Sequence, residues 1–256
     1  MNIRTAGAAG LLALACALST AAAAAPPGGD RLAAALADPR RPAAEVARDP
    51  ARHPAELIRF AGIRPGDRVA DYFPGGGYYD RILSDVVGPQ GRVYGFIPSE
   101  MARNCDPSEF AGGRAVPREG WANVEIVEQP LTAFRTPERL DVIWSSQNFH
   151  DLYDGFMEHA DVGRALRAAY ESLKPGGTFI VIDHVAEAGS GLRDTERLHR
   201  IDPAAIRRQM EAAGFRYEGR SDVLRNPGDD HSLRVFDPRI RGRTDQVAFK
   251  FRRPAG

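Results

Sequence analysis

The segment Arg68-Val-Ala-Asp-Tyr-Phe-Pro-Gly-Gly-Gly-Tyr-Tyr-Asp-Arg-Ile-Leu83 constrains this chain more than any other. It predicts a short apolar strand, an acidic residue at its end, a glycine turn over residues 74–77 and a helix opening at Tyr78. Glycine accepts positive φ and lets another group approach the backbone closely. The helix start behind the turn presents unpaired N–H groups and the positive end of its dipole. In open α/β sheets this junction is where nucleotide-like ligands bind.

The rest of the chain repeats the strand-then-helix rhythm. Strands are predicted over 67–72, 92–96, 123–127, 140–145 and 178–182, with a final pair over 215–224 and 246–251. Helices are predicted over 78–87, 158–173 and 203–213, the last with Asp202 as N-cap and Gly214 just past its end. Residues 98–121 and 184–202 are left as long connections, and a Lys-Pro-Gly-Gly turn ends the second helix. Residues 28–59 form a helical N-terminal lead broken by Pro50 and Pro54. This alternation predicts an α/β fold with a doubly wound, mostly parallel seven-stranded sheet.

Composition narrows the partners. The 34 basic and 34 acidic side chains balance, which gives no basis for a nucleic-acid partner or an anionic membrane surface. Lys174 and Lys250 are the only lysines, and so strong an arginine bias reads as composition rather than as chosen phosphate contacts. Residues 1–25 have the pattern of a cleaved signal peptide: Arg4, an apolar run from Leu11 to Leu18, then alanines before Pro26-Pro27. The expectation is export to the periplasm or beyond, with no stable membrane insertion of the mature chain and one domain over 26–256. Leu14-Ala15-Cys16 resembles a lipid-attachment box, but Ala13 and the continuing apolar run argue against it. Without Cys16, Cys105 stands alone, so no internal disulfide is expected. No sequence feature sets an oligomeric state.

Three blocks carry a resemblance in order: the glycine turn, Leu140-Asp-Val-Ile-Trp144, and Leu173-Lys-Pro-Gly-Gly-Thr-Phe-Ile-Val181. Over residues 55–251 the chain resembles class I S-adenosylmethionine-dependent methyltransferases. More narrowly, Phe73-Pro-Gly-Gly-Gly-Tyr-Tyr79, Asn148-Phe-His-Asp-Leu-Tyr153 and Thr244-Asp-Gln246 resemble a set of secreted bacterial proteins described as methyltransferases. The resemblance implies a Rossmann-like fold, S-adenosylmethionine as cofactor and a small-molecule methyl acceptor. It implies cofactor contacts from Asp71, Gly75, Gly76, Gly77, Tyr78, Glu100 and Gln147. Three positions depart from the family pattern. Phe73 stands where the first glycine belongs, Ile97 where an acid grips the ribose, and Pro130 where an acid sits near the adenine. Glu100 and Glu128 are the neighbouring carboxylates.

Polar clusters gather where the fold places strand ends. Gln147-Asn148-Phe149-His150-Asp151 follows the fourth strand, Asp183-His184 the fifth, and Asp229-Asp230-His231 precedes the last. For methyl transfer, His150 or His184 is the candidate general base, Asn148 orients the acceptor and Asp151 belongs to the same catalytic group. Alternatively, both histidines only satisfy backbone groups at strand ends. His199 reads as a surface residue, Asp229-Asp230 as a turn, Trp144 as core, and Tyr78 and Tyr79 as one core and one lining residue. The alternative function is a periplasmic binding or metal-binding protein that reuses the fold without methyl transfer. Its candidate ligands are His150, Asp151, His184 and His231, although no tight ligand spacing is present.

Overall fold

The computed structural model describes residues 28–256, and the export-signal expectation lies outside the described residues. The strands are β1 (Arg68–Tyr72), β2 (Arg92–Pro98), β3 (Val124–Gln129), β4 (Leu140–Ser146), β5 (Leu173–His184), β6 (Arg216–Ser221) and β7 (Gln246–Arg252). They form one sheet in the order β3-β2-β1-β4-β5-β7-β6. Neighbours from β3 across to β5 run parallel, and β7 runs antiparallel between β5 and β6. The doubly wound, mostly parallel seven-stranded fold expected from the sequence is the fold found. The winding reverses between β1 and β4, and the glycine turn leaves the sheet at that crevice.

The central strands are apolar because both faces are covered. Ala70, Tyr72, Ile143, Phe179 and Val181 face one cluster. Val69, Val142, Trp144, Ile180 and Ile182 face the other. The second face packs on α1 (Gly28–Leu36), α4 (Pro54–Ala61) and α5 (Tyr78–Val87) through Leu32, Leu57, Ile58, Ile82 and Leu83. The first packs on α8 (Val162–Ser172) and α10 (Pro203–Ala212) through Leu166, Ala169, Ile206 and Met210. Asp202 caps α10 by accepting the Ala204 N–H, and Gly214 follows with φ 101°, as expected.

Five local expectations change. Pro50 and Pro54 do not break the lead; they open α3 (Asp49–Arg52) and α4, because a first-turn N–H has no helical acceptor to lose. They follow α2 (Ala43–Val46) as successive short turns. The long connection after β2 is mostly helical, with α6 (Ser99–Asn104), α7 (Ser108–Ala115) and a 3₁₀ turn over Val116–Glu119. The helix expected from residue 158 starts at Val162, where Asp161 accepts the Arg164 N–H. The Lys-Pro-Gly-Gly turn is a bulge inside β5: Leu140 pairs with Leu173, but Val142 pairs with Thr178. In the second long connection, α9 (Thr195–Leu198) is one short helical turn.

One buried cation ties the lead to the sheet. Arg81 on α5 donates to Glu45 Oε1 at 2.8 Å, to the Gly76 carbonyl at 2.8 Å and to Glu119 Oε2 at 2.7 Å. It therefore joins the lead, the glycine turn and the connection after β2. Arg81→Met would strand the half-buried Glu45 without its cation. Breaking a buried pair from one side costs about 3–5 kcal/mol. Urea unfolding is expected to show a loss of about that size with an unchanged denaturant slope.

Candidate functional site

Beyond the carboxyl ends of β1 and β4 lies a cavity of about 250 Å³. Its floor is the glycine turn. Gly75 and Gly77 take positive φ (53° and 85°), and the turn is closed by the Gly77 N–H donating to the Pro74 carbonyl. The turn packs against a second glycine pair: a Cβ on Gly112 would stand 2.6 Å from the Gly76 carbonyl oxygen, and one on Gly113 2.6 Å from that of Gly75. Only glycines let α7 approach this closely, and the Gly113 N–H uses the approach to donate to the Gly75 carbonyl at 3.0 Å.

Asp71 ends β1 at the cavity wall and is 3% exposed. No main-chain donor, arginine or lysine pairs with its carboxyl among the described residues. Its neighbour is Asp80, which points back from α5 beneath Gly95, where a Cβ would stand 3.1 Å from the Asp80 oxygen. Burial, then the Asp80 charge, pushes the Asp71 carboxyl well above its ordinary range, and burial pushes Asp80 up to about 7. Arg52 draws Asp71 down and Arg81 draws Asp80 down, but neither outweighs burial, so both carboxyls are held toward the protonated form.

The departures from the family pattern take definite shapes. Phe73 adopts the left-handed backbone (φ 63°) that a glycine would, its N–H donating to the Phe96 carbonyl at 2.9 Å. Its ring packs with Tyr72 and Phe96 in the core, so the backbone follows a glycine-like path with the benzyl group anchored there. Ile97 is fully buried in the same cluster. Glu100 does not line the cavity; its Oε2 accepts the Leu131 N–H at 3.0 Å and ties the connection after β2 to that after β3.

The loop after β4 brings Gln147, Asn148 and Asp151 to the opposite wall. The Asn148 amide is committed to the fold. Its Oδ1 accepts from the Ser145 hydroxyl at 2.6 Å, and its Nδ2 donates to the Tyr72 and Phe73 carbonyls at 2.7 and 3.2 Å. It thus positions the glycine turn, where the sequence suggested an acceptor contact. Gln147 takes φ 66° and accepts from Arg52 at 2.6 Å.

The histidines separate into three environments. His150 lies behind Asp151, its Nδ1 2.8 Å from Asp183 Oδ1 and its Nε2 3.1 Å from Asp151 Oδ1. Burial opposes its charge, but Asp183 and Asp151 outweigh burial and raise its proton affinity well above the ordinary histidine value. His199 is not a surface residue; its Nδ1 is 3.2 Å from His150 Nε2. His184 lies apart, with Nδ1 2.7 Å from Thr244 Oγ1, and lines an adjoining cavity of about 540 Å³. His231 is elsewhere, its Nε2 3.1 Å from Asp245 Oδ2. Asp229 does more than turn the chain: it is buried and paired with Arg200 at 2.8 Å.

Of the residues singled out in the sequence, Asp71, Gly75, Gly76, Tyr78, Gln147, Asn148 and Asp151 therefore meet around one cavity. Gly77 lies beneath it, against Val116, and Glu100, His150 and His184 stand off its wall. Tyr78 and Tyr79 are both buried and both line it, and Trp144 is core as expected. Sequence reading missed Arg48 and Arg52 from the lead and Met101, Glu109 and Phe110 from the connection after β2. Arg48 and Arg52 recur at a spacing of four, the one local signal that they share a side. Glu109 carries none.

Burial, with the cations of His150, Arg200 and Arg52 and against Asp183, holds His184 down to about 3 from an ordinary 6.5. The neutral ring is therefore the form that the fold accepts. Its contribution is present above pH 6.5 and is lost as pH falls toward 3. Melting temperatures across pH 7 to 4 are expected to fall more steeply for wild type than for His184→Gln.

No protein-family profile matches the chain. It is 27% identical over 128 residues to a 2-phytyl-1,4-naphtoquinone methyltransferase of Synechococcus elongatus, covering 49% of each chain. It is 27% identical over 127 residues to the ubiquinone/menaquinone biosynthesis C-methyltransferase UbiE of Ectopseudomonas mendocina, covering 49% of this chain and 45% of that one. The chain thus spans about half the length of the curated relatives it matches. In fold it resembles a SAM-dependent methyltransferase from Aquifex aeolicus, with a TM-score of 0.55, 18% identity, and 78% and 89% of the two chains covered. It also resembles the [4+2]-cyclase SpnF, with a TM-score of 0.57, 18% identity, and 80% and 82% covered. The chain has the Rossmann-like fold of the class I S-adenosylmethionine-dependent methyltransferases, and its curated relatives are methyltransferases.

Proposed function

We propose that the chain is an S-adenosylmethionine-dependent methyltransferase with a small-molecule acceptor. The observation that carries this reading is the buried Asp71–Asp80 pair beside a glycine turn at the sheet's switch point. A buried carboxyl pair whose burial the nearby Arg52 and Arg81 do not outweigh fits a ligand that brings hydrogen-bond donors and positive charge. When bound, S-adenosylmethionine supplies an electrophilic methyl on a sulfonium centre. Asp71 would hold it at the β1 end, with Gly75 and Gly76 giving close backbone approach and Tyr78 and Gln147 closing the sides. Glu109, at the cavity rim, is the carboxylate we assign to the place that Ile97 leaves without one. The match to two quinone-pathway methyltransferases supports a small molecule as acceptor.

The adjoining cavity of about 540 Å³ is the acceptor side in this reading. It shares Arg48, Arg52 and Gln147 with the first and adds Val235, Phe236 and Arg241. Phe236 is 51% exposed, and Arg48 and Arg241 make no ion pair among the described residues. The acceptor class that fits is an apolar ring or chain bearing an anionic group. His184 borders this cavity as a neutral imidazole and would orient the acceptor by a hydrogen bond, since burial keeps the ring from taking up a proton. Alignment of two bound reactants then supplies most of the acceleration. Export of the mature protein belongs to the same reading and rests on residues 1–25; among the described residues, no helix is long and apolar enough to cross a membrane.

Calorimetry with S-adenosylmethionine and S-adenosylhomocysteine tests the reading. Saturable one-to-one binding is expected. Asp71→Ala is expected to weaken it about tenfold or more, the loss of one hydrogen bond involving a charged group, while unfolding stays cooperative. Equal affinity in both proteins, or no binding by folded wild type, overturns it.

A further inference from the structure

We propose that His150, Asp151 and His199 form a binding site for one divalent transition-metal ion. His150 Nε2, Asp151 Oδ1 and His199 Nδ1 converge on one point, with separations of 3.1 Å (His150 to Asp151), 3.2 Å (His150 to His199) and 3.7 Å (His199 to Asp151). A four-coordinate ion with bonds of about 2.0–2.1 Å sets its ligands about 3.3 Å apart, so the triangle is already of the right size. Two imidazoles and a carboxylate suit zinc or ferrous iron rather than magnesium or calcium.

Two further observations point to a missing cation. Asp154 is 1% exposed, and neither carboxylate oxygen has a hydrogen-bond partner among the described residues. One of them lies 3.9 Å from His199 Nδ1, at the edge of the triangle. Behind His150, Asp183 Oδ1 sits 2.8 Å from Nδ1, while the second Asp183 oxygen accepts the His150 N–H at 2.7 Å. That carboxylate fixes the ring with Nε2 forward, as the outer partners of metal-bound histidines do. His199 completes the site from a left-handed backbone position (φ 53°) just past α9. Its other nitrogen, Nε2, accepts from Arg234 at 2.9 Å, which places the ring proton on Nδ1. Loading the site therefore moves or expels that proton, and the exposed Arg234 gives up its hydrogen bond.

The cluster differs from the metal alternative suggested by the sequence. His184 and His231 are engaged with Thr244 and Asp245, and His199 replaces them. The site does not depend on the methyltransferase reading, although Asp151 also borders the cavity assigned to the cofactor.

The test uses the whole mature protein, stripped with a chelator and titrated with Zn²⁺ by calorimetry and with Co²⁺ by visible absorption. One ion per chain is expected, with d–d bands of a four- or five-coordinate Co²⁺ site. His199→Ala, at a partly exposed position, is expected to weaken Zn²⁺ binding by about 100-fold or more, the upper end of what losing even an outer partner costs. Asp151→Asn, nearly isosteric, decides the matter if His199→Ala fails to fold. His231→Ala is expected to keep wild-type affinity. Absence of Zn²⁺ binding by folded wild type, or wild-type affinity in the folded variants at 199 and 151, overturns the assignment.

Discussion

The Arg81 guanidinium is the contact on which the site's shape depends. Its three acceptors come from the lead, the glycine turn and the connection after β2, segments far apart in the chain. Hydrophobic burial alone would hold these segments near one another without fixing their register, because it is non-directional. A planar cation with several donors fixes angles as well as distances. Arg41 repeats the device nearby, bonding Asp49 with both terminal nitrogens while Tyr78 donates to the same carboxylate. The lead is thus held by charge-assisted bonds at the edge where it meets the turn, and by apolar packing elsewhere.

Two buried carboxylates at the ends of the strands that flank β4 are treated in opposite ways. Asp183, at the end of β5, accepts two backbone N–H groups and faces the His150 ring, so its charge is fully answered. Asp71, at the end of β1, faces Asp80, and the charge of Arg52 does not outweigh its burial. One end of the sheet is electrostatically complete and the other is not. That asymmetry marks the β1 end as a place for a ligand and the β5 end as scaffold for His150.

Much of the fold was legible because periodicity and turn chemistry agree in the central strands. β1, β2 and β4 and helices α5 and α10 fall within a residue or two of expectation, and Asp202 and Gly214 cap α10 as their types suggest. The connection after β2 was not legible, because its organising feature is a long-range fit: Gly112 and Gly113 have low helix propensity and are helical because only they can lie on the Gly75 and Gly76 carbonyls. The site was half legible. Asp71 and the loop after β4 follow from topology, whereas Arg48 and Glu109 reach the cavity by tertiary placement that no local pattern encodes. His199 was misread for the same reason, since its neighbours His150 and Phe236 come from other parts of the chain.

The lead has a consequence for how this fold diversifies. The doubly wound core supplies the turn and Asp71, but the guanidiniums of Arg48 and Arg52 arrive on an appended segment that walls both cavities. Sheet and lead meet through side-chain contacts and share no strand pairing. Ligand preference is therefore written in part on a segment outside the sheet, and substitutions at its cavity-facing positions, away from Leu32, Leu57 and Ile58, would retune what the cavities admit while the sheet goes unaltered.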